Sequence, residues 1–126
     1  MTHILLNIEY KNKDELLYNV RSGERMIYDW VQFNQHQLMI PPTMVVFPPP
    51  SHNQFSLSND DYYQGYTGFG ILKESHISIH TYPEENKVFI DFYSCKNLNI
   101  QKNKEFIKNY FLKNNEDKIK FQVIKR

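Results

Sequence analysis

Residues 70–95 read GILKESHISIHTYPEENKVFIDFYSC, and the rest of the chain is organised around them. Two runs of alternating character, 75–81 and 87–94, flank a YPEEN turn, the pattern of an antiparallel hairpin. Strand side chains alternate between faces, so Ile77 and Ile79 join Val88, Ile90 and Phe92 on a side suited to lie under helices. His76, Ser78 and His80 join Asp91, Tyr93 and Cys95 on the other. Pairing Thr81 with Val88 sets Cys95 beside Glu74, so that its thiol faces the Glu74–Ser75 peptide.

Outward from the hairpin, YTGFGIL reads as a strand whose Gly65, Gly68 and Gly70 permit bulges or close backbone approach. TMVVF reads as another, stopped by Pro48, Pro49 and Pro50, which have no N–H to give a ladder. The segment between them, 48–64, is the longest piece without periodicity, and such a loop in a small domain is usually functional or mobile. Residues 3–10 form a strand candidate. Over 14–38, Leu16, Leu17, Val20, Met26, Ile27, Trp30 and Val31 recur at helical spacing, with Asn12 or Asp14 as the cap and Gly23 as the place for a break or kink. Downstream, Ile100, Phe106, Ile107, Tyr110 and Phe111 share one face of a second helix, and KIKFQVI alternates as a last strand. These elements predict an α+β two-layer sandwich in a single domain over 1–126, a mostly antiparallel sheet with two helices on one face. The opposite face is then wet or buried by a second copy.

Fifteen Lys and Arg against 14 Asp and Glu leave a net charge of +1, which gives no general pull toward nucleic acid or anionic membrane. The lysines from Lys96 onward, on a helix with an apolar stripe, read as a solvated face before an RNA-binding tail. No stretch approaches the roughly 18 apolar residues of a membrane span, and MTHILLNIEY lacks the features of a secretory signal. One cysteine, Cys95, rules out an internal disulfide and suits a reducing cytoplasm.

Taken singly, these residues have ordinary explanations: a free cysteine is usually a small buried hydrophobe, and a lone histidine on a sheet is usually hydrogen-bonded. His76 and His80 lie about 13 Å apart along a strand, against metal bonds of about 2 Å, so one metal cannot take both. A Ser75, His80, Asp91 triad lacks the strand-to-helix elbow such a serine uses.

KESHISIHTYPE followed by IDFYSC resembles the processing and active-site segment of the small prokaryotic-type S-adenosylmethionine decarboxylases, pyruvoyl enzymes of polyamine synthesis. The likeness extends upstream through QGYTGFGIL and to the opening HILL. It implies that Ser75 attacks the Glu74 carbonyl in an N-to-O acyl shift, that His80 then removes the Ser75 α-proton, and that Thr67 supports the shift where the family has serine. Cleavage would give chains 1–74 and 75–126, the second capped by a pyruvoyl group made from Ser75, with no pyridoxal phosphate and no metal. That ketone would form a Schiff base with the substrate amine and act as electron sink, and Cys95 would return a proton to the substrate carbon. Glu84 would lie near the ribose hydroxyls with Tyr82 beside it, and Tyr62 or Tyr63 would stack on adenine. Asn7 stands where the family has an early acidic residue, with Glu9 two places on. The implied partners are S-adenosylmethionine and a second cleaved protomer in a homodimer. Two other readings stay open: the same chemistry on arginine or ornithine, and a non-processing relative that binds a nucleoside or a protein.

Overall fold

The computed structural model describes residues 1–46 and 65–126. Alternation builds its strands: β1 (Thr2–Glu9) buries Thr2, Ile4, Leu6 and Ile8 on one side, and β4 (Ser75–Tyr82) and β5 (Lys87–Ser94) do the same with Ile77, Ile79, Val88, Ile90 and Phe92. With β2 (Thr43–Val46), β3 (Tyr66–Leu72) and β6 (Lys118–Lys125) they form one six-stranded sheet, ordered β2-β3-β4-β5-β1-β6. Each pairing is antiparallel, and Thr81 stands opposite Val88 as the hairpin register requires. Residues 47–64, including the whole of the expected 48–64 loop and the end of TMVVF, lie outside the described residues.

The helical spacing over 14–38 resolves into two helices, which corrects the single helix expected there. α1 (Glu15–Tyr18) and α2 (Val20–Phe33) break at Asn19, not at Gly23. Asn19 closes α1 through its N–H on the Glu15 carbonyl and opens α2 by accepting the Arg21 N–H at 3.0 Å on its side chain. An asparagine suits both jobs, because its side chain competes for backbone donors and so favours helix boundaries. α2 stops at Phe33, short of Leu38: Asn34 caps it and Gln35 takes a left-handed φ of 57°. Residues 36–39 then run back onto the sheet, where Leu38 bridges Leu72 and Met39 N–H donates to the Ile71 carbonyl at 2.8 Å. α3 (Ile100–Phe111) starts at Asn99, whose side chain accepts the Lys102 N–H.

α2 and α3 cover one sheet face, as read from the sequence, with α1 as an added single turn. Trp30 is fully buried among Phe92, Phe106 and Phe111. Its indole N–H donates to Asn103 Oδ1 at 2.8 Å, while Asn103 Nδ2 donates to Asn34 Oδ1 and the Asn99 carbonyl. The buried amide thus has its partners, and it ties α2 to α3 inside an apolar layer. The opposite face carries Val45, Phe69, Ile71, Phe89 and Ile124 exposed.

Gly23 has a packing role rather than a conformational one. The Tyr66 ring lies where its Cβ would stand, and Tyr66 is fully buried with its hydroxyl donating to the Leu16 carbonyl at 2.5 Å. Alanine would gain up to about 1 kcal/mol in helix propensity. Overpacking against an anchored ring costs about 1–3 kcal/mol, so Gly23→Ala is expected to lower stability. A urea midpoint at or above wild type would show that the ring moves aside freely.

Candidate active site

Leu72 pairs with Ser75, so Lys73 and Glu74 alone make the turn from β3 to β4. Glu74 takes a left-handed φ of 60°, a conformation that costs a non-glycine residue about 1–2 kcal/mol. The very next residue, Ser75, is buried, and its Oγ accepts the Cys95 backbone N–H at 2.8 Å. The Cys95 thiol donates to the Lys73 carbonyl at 3.8 Å. A strained peptide, a hydroxyl and a thiol therefore meet at one end of the sheet, in the register that pairs Thr81 with Val88.

Thr67 and His80 are brought together elsewhere. They pair across β3 and β4, with Thr67 Oγ1 and His80 Nδ1 3.0 Å apart. If Nδ1–H donates to Thr67, Nε2 keeps the lone pair a proton acceptor needs. His80 lies five strand positions beyond Ser75, about 17 Å at about 3.3 Å per residue. It also points to the open face with Ser78, whereas Ser75 shares the helix side with Ile77 and Ile79. One chain thus holds two half-sites, Ser75 with Cys95 and His80 with Thr67.

The remaining residues are scattered. Tyr82 is on the open face, tilted against Phe89 with ring centroids 5.2 Å apart. Glu84 is exposed in the 3-10 turn Pro83–Glu85 that closes the hairpin. Tyr62 and Tyr63 lie outside the described residues. Asp91 stands opposite Ser78, and His76 stacks on Tyr93, so Ser75, His80 and Asp91 do not assemble as a triad. Asn7 lies opposite Phe89 and Lys120 on the open face. Sequence reading missed the turn at Lys73 and Glu74: tight hairpin turns usually announce themselves by Asn-Gly or Asp-Gly, and Lys-Glu gives no such signal. It also missed His36 and Ser94, which sit behind Cys95 and 2.8 Å from each other.

The fold defines a class, a helix-covered antiparallel α+β sheet, that recurs in the crystal structure of the adenosylmethionine decarboxylase from Aquifex aeolicus VF5. That likeness has a TM-score of 0.67 at 21% identity and covers 99% of this chain and 89% of that one. The S-adenosylmethionine decarboxylase family model matches residues 2–126, and the chain belongs to that family. Among similar curated proteins, the S-adenosylmethionine decarboxylase proenzyme of Symbiobacterium thermophilum is 62% identical over 32 residues, 25% of this chain and 24% of that protein. Proenzyme 2 of Bacillus cereus is 58% identical over 31 residues, 25% of each chain. These matches span about a quarter of the relatives' length. No helix among the described residues is long and apolar enough to cross a membrane.

Proposed function

We propose that the chain is a self-processing decarboxylase of S-adenosylmethionine that supplies aminopropyl groups for polyamine synthesis in the cytoplasm. The observation that carries this reading is the Ser75 hydroxyl, held by the Cys95 N–H at 2.8 Å and adjoining a peptide made by left-handed Glu74. Oγ attacks the Glu74 carbonyl, the C–N bond breaks, and an ester links Glu74 to Ser75. Removal of the Ser75 α-proton expels the Glu74 carboxylate and leaves a dehydroalanine, which hydrolyses with loss of ammonia. This donor set fits a pyruvoyl group, because Ser75 heads the strand and nothing but the turn need be cut. That group supplies an electrophilic ketone that accepts the substrate amine and the electron pair freed by decarboxylation. Cys95 then hands a proton to the substrate carbon. Tyr82, with Tyr62 or Tyr63, offers aromatic faces to adenine and to the sulfonium cation, and Glu84 offers a carboxylate to ribose hydroxyls.

The base is best supplied by a second copy. A twofold axis between two facing sheets, crossing β4 midway between positions 75 and 80, sets Ser75 of one protomer over the His80 position of the other. The exposed Phe69, Ile71 and Phe89 on the open face then become the dimer contact.

Purified protein given carboxyl-labelled S-adenosylmethionine is expected to release labelled carbon dioxide, with none from labelled arginine or ornithine. Release from either amino acid instead would reassign the substrate. Absence of release from all three, with an uncut chain, would leave a binding protein without chemistry.

A further inference from the structure

The residues that follow α2 grip both neighbours of β4, the strands β3 and β5, beside the turn at Lys73 and Glu74. On the β3 side, Met39 N–H donates to the Ile71 carbonyl at 2.8 Å and Leu38 bridges Leu72. On the β5 side, His36 Nε2 lies 2.8 Å from Ser94 Oγ, and the Lys96 ammonium donates to the Gln35 carbonyl at 3.0 Å. Ser94 is fully buried, and its Oγ also accepts the Lys96 N–H at 3.1 Å. A serine hydroxyl has two lone pairs and one proton, so with one lone pair on the Lys96 N–H it still bonds a neutral imidazole in either tautomer. Burial and the nearby Lys96 ammonium lower the His36 pKa from its usual value, which keeps the ring in that form. Cys95 is the residue between the two that His36 and Gln35 hold, and its N–H is the one bonded to Ser75 Oγ.

We propose that His36 is a positioning residue for Ser75: bonded to Ser94, it fixes the end of β5 so that the Cys95 N–H holds the Ser75 hydroxyl at the peptide to be cut. His36 touches neither the peptide nor the substrate. It acts through Ser94 and the backbone of Cys95, and its use in processing rests on the function proposed above.

The test follows two readouts in freshly synthesised precursor: the first-order rate of cleavage by intact mass, and amide hydrogen exchange at Cys95 and Lys96. His36→Ala is expected to slow cleavage about tenfold and to speed exchange at both amides by a similar factor, the effect of losing one buried hydrogen bond. His36→Gln, whose side-chain amide can accept from or donate to the same hydroxyl, should recover most of both. Tyr110→Phe removes a bond to Asp29 far from the turn. It serves as a control that loses stability yet keeps wild-type cleavage and exchange. Wild-type cleavage and exchange in His36→Ala would overturn the proposal, as would loss in His36→Ala matched by equal loss in His36→Gln. Should the wild-type chain stay whole, the decarboxylase reading fails, and exchange at Cys95 still decides whether His36 positions that amide.

Discussion

Ser75→Ala is expected to purify as one uncut chain, while the wild-type protein separates under denaturing conditions into 1–74 and 75–126, the second blocked to Edman sequencing. Without Oγ no ester forms, so the loss is complete rather than partial. His80→Ala should stop one step later, with the ester made and no base to eliminate it, and hydroxylamine should then cut the stalled chain after Glu74. The two half-sites give a sharper outcome. Copies of Ser75→Ala keep His80, and copies of His80→Ala keep Ser75, so co-expression should restore cleavage of the His80→Ala chain alone. Cleavage of His80→Ala at the normal rate by itself would remove His80 as the base and make His76 the candidate. Failure of the mixed pair, with each variant folded and dimeric, would sink the shared site.

Cys95→Ala is the second large effect. Its backbone N–H remains, so Ser75 is still held and the chain still cuts. Turnover should fall by at least about two powers of ten, the lower end of what a positioned acid supplies. The lost proton also changes the product. When the thiol does not place hydrogen on the substrate carbon, the proton would go to the carbon derived from Ser75 instead. Water would then release the substrate as an aldehyde with its nitrogen left on the protein, and the 75–126 chain should begin with alanine after exposure to substrate. Full turnover in Cys95→Ala would return the thiol to the role of a small half-buried side chain.

Much of the sheet was legible because burial on one face imposes a period of two: the hairpin register, the split of Ile77 and Ile79 from His76 and His80, and the nearness of Cys95 to Glu74 all follow from it. The break at Asn19 was not, because a glycine four residues later offered a more obvious interruption, while the cap depends on a side-chain bond that periodicity does not register. Glu74 at φ 60° was hidden for a similar reason, since nothing in Lys-Glu prefers the left-handed region. The sequence brought Thr67, Ser75, His80 and Cys95 into one motif, yet adjacency along a strand is not adjacency in space. Five strand positions and opposite parity separate Ser75 from His80, and the resemblance to a family obscured that simple count. His36 carried no signal at all, being a lone histidine beyond a helix end whose partner lies across the core.

The strand order has a consequence for a chain cut at Glu74–Ser75 as proposed. Three of the five seams in β2-β3-β4-β5-β1-β6, namely β3–β4, β5–β1 and β1–β6, join residues on opposite sides of the Glu74–Ser75 bond. β1 is wedged between two strands of the other fragment, so the pieces are interlaced and neither can leave without dismantling the sheet. Such a scission would be almost invisible to the native state: it would free two chain ends and relax Glu74, with the sheet pairings kept. The unfolded state feels it fully, because two short chains now replace one and no covalent tether returns them to each other. Melting of the matured protein becomes a dissociation, and its midpoint should rise with protein concentration where that of the Ser75→Ala precursor, within a given oligomeric state, reflects a single tethered chain.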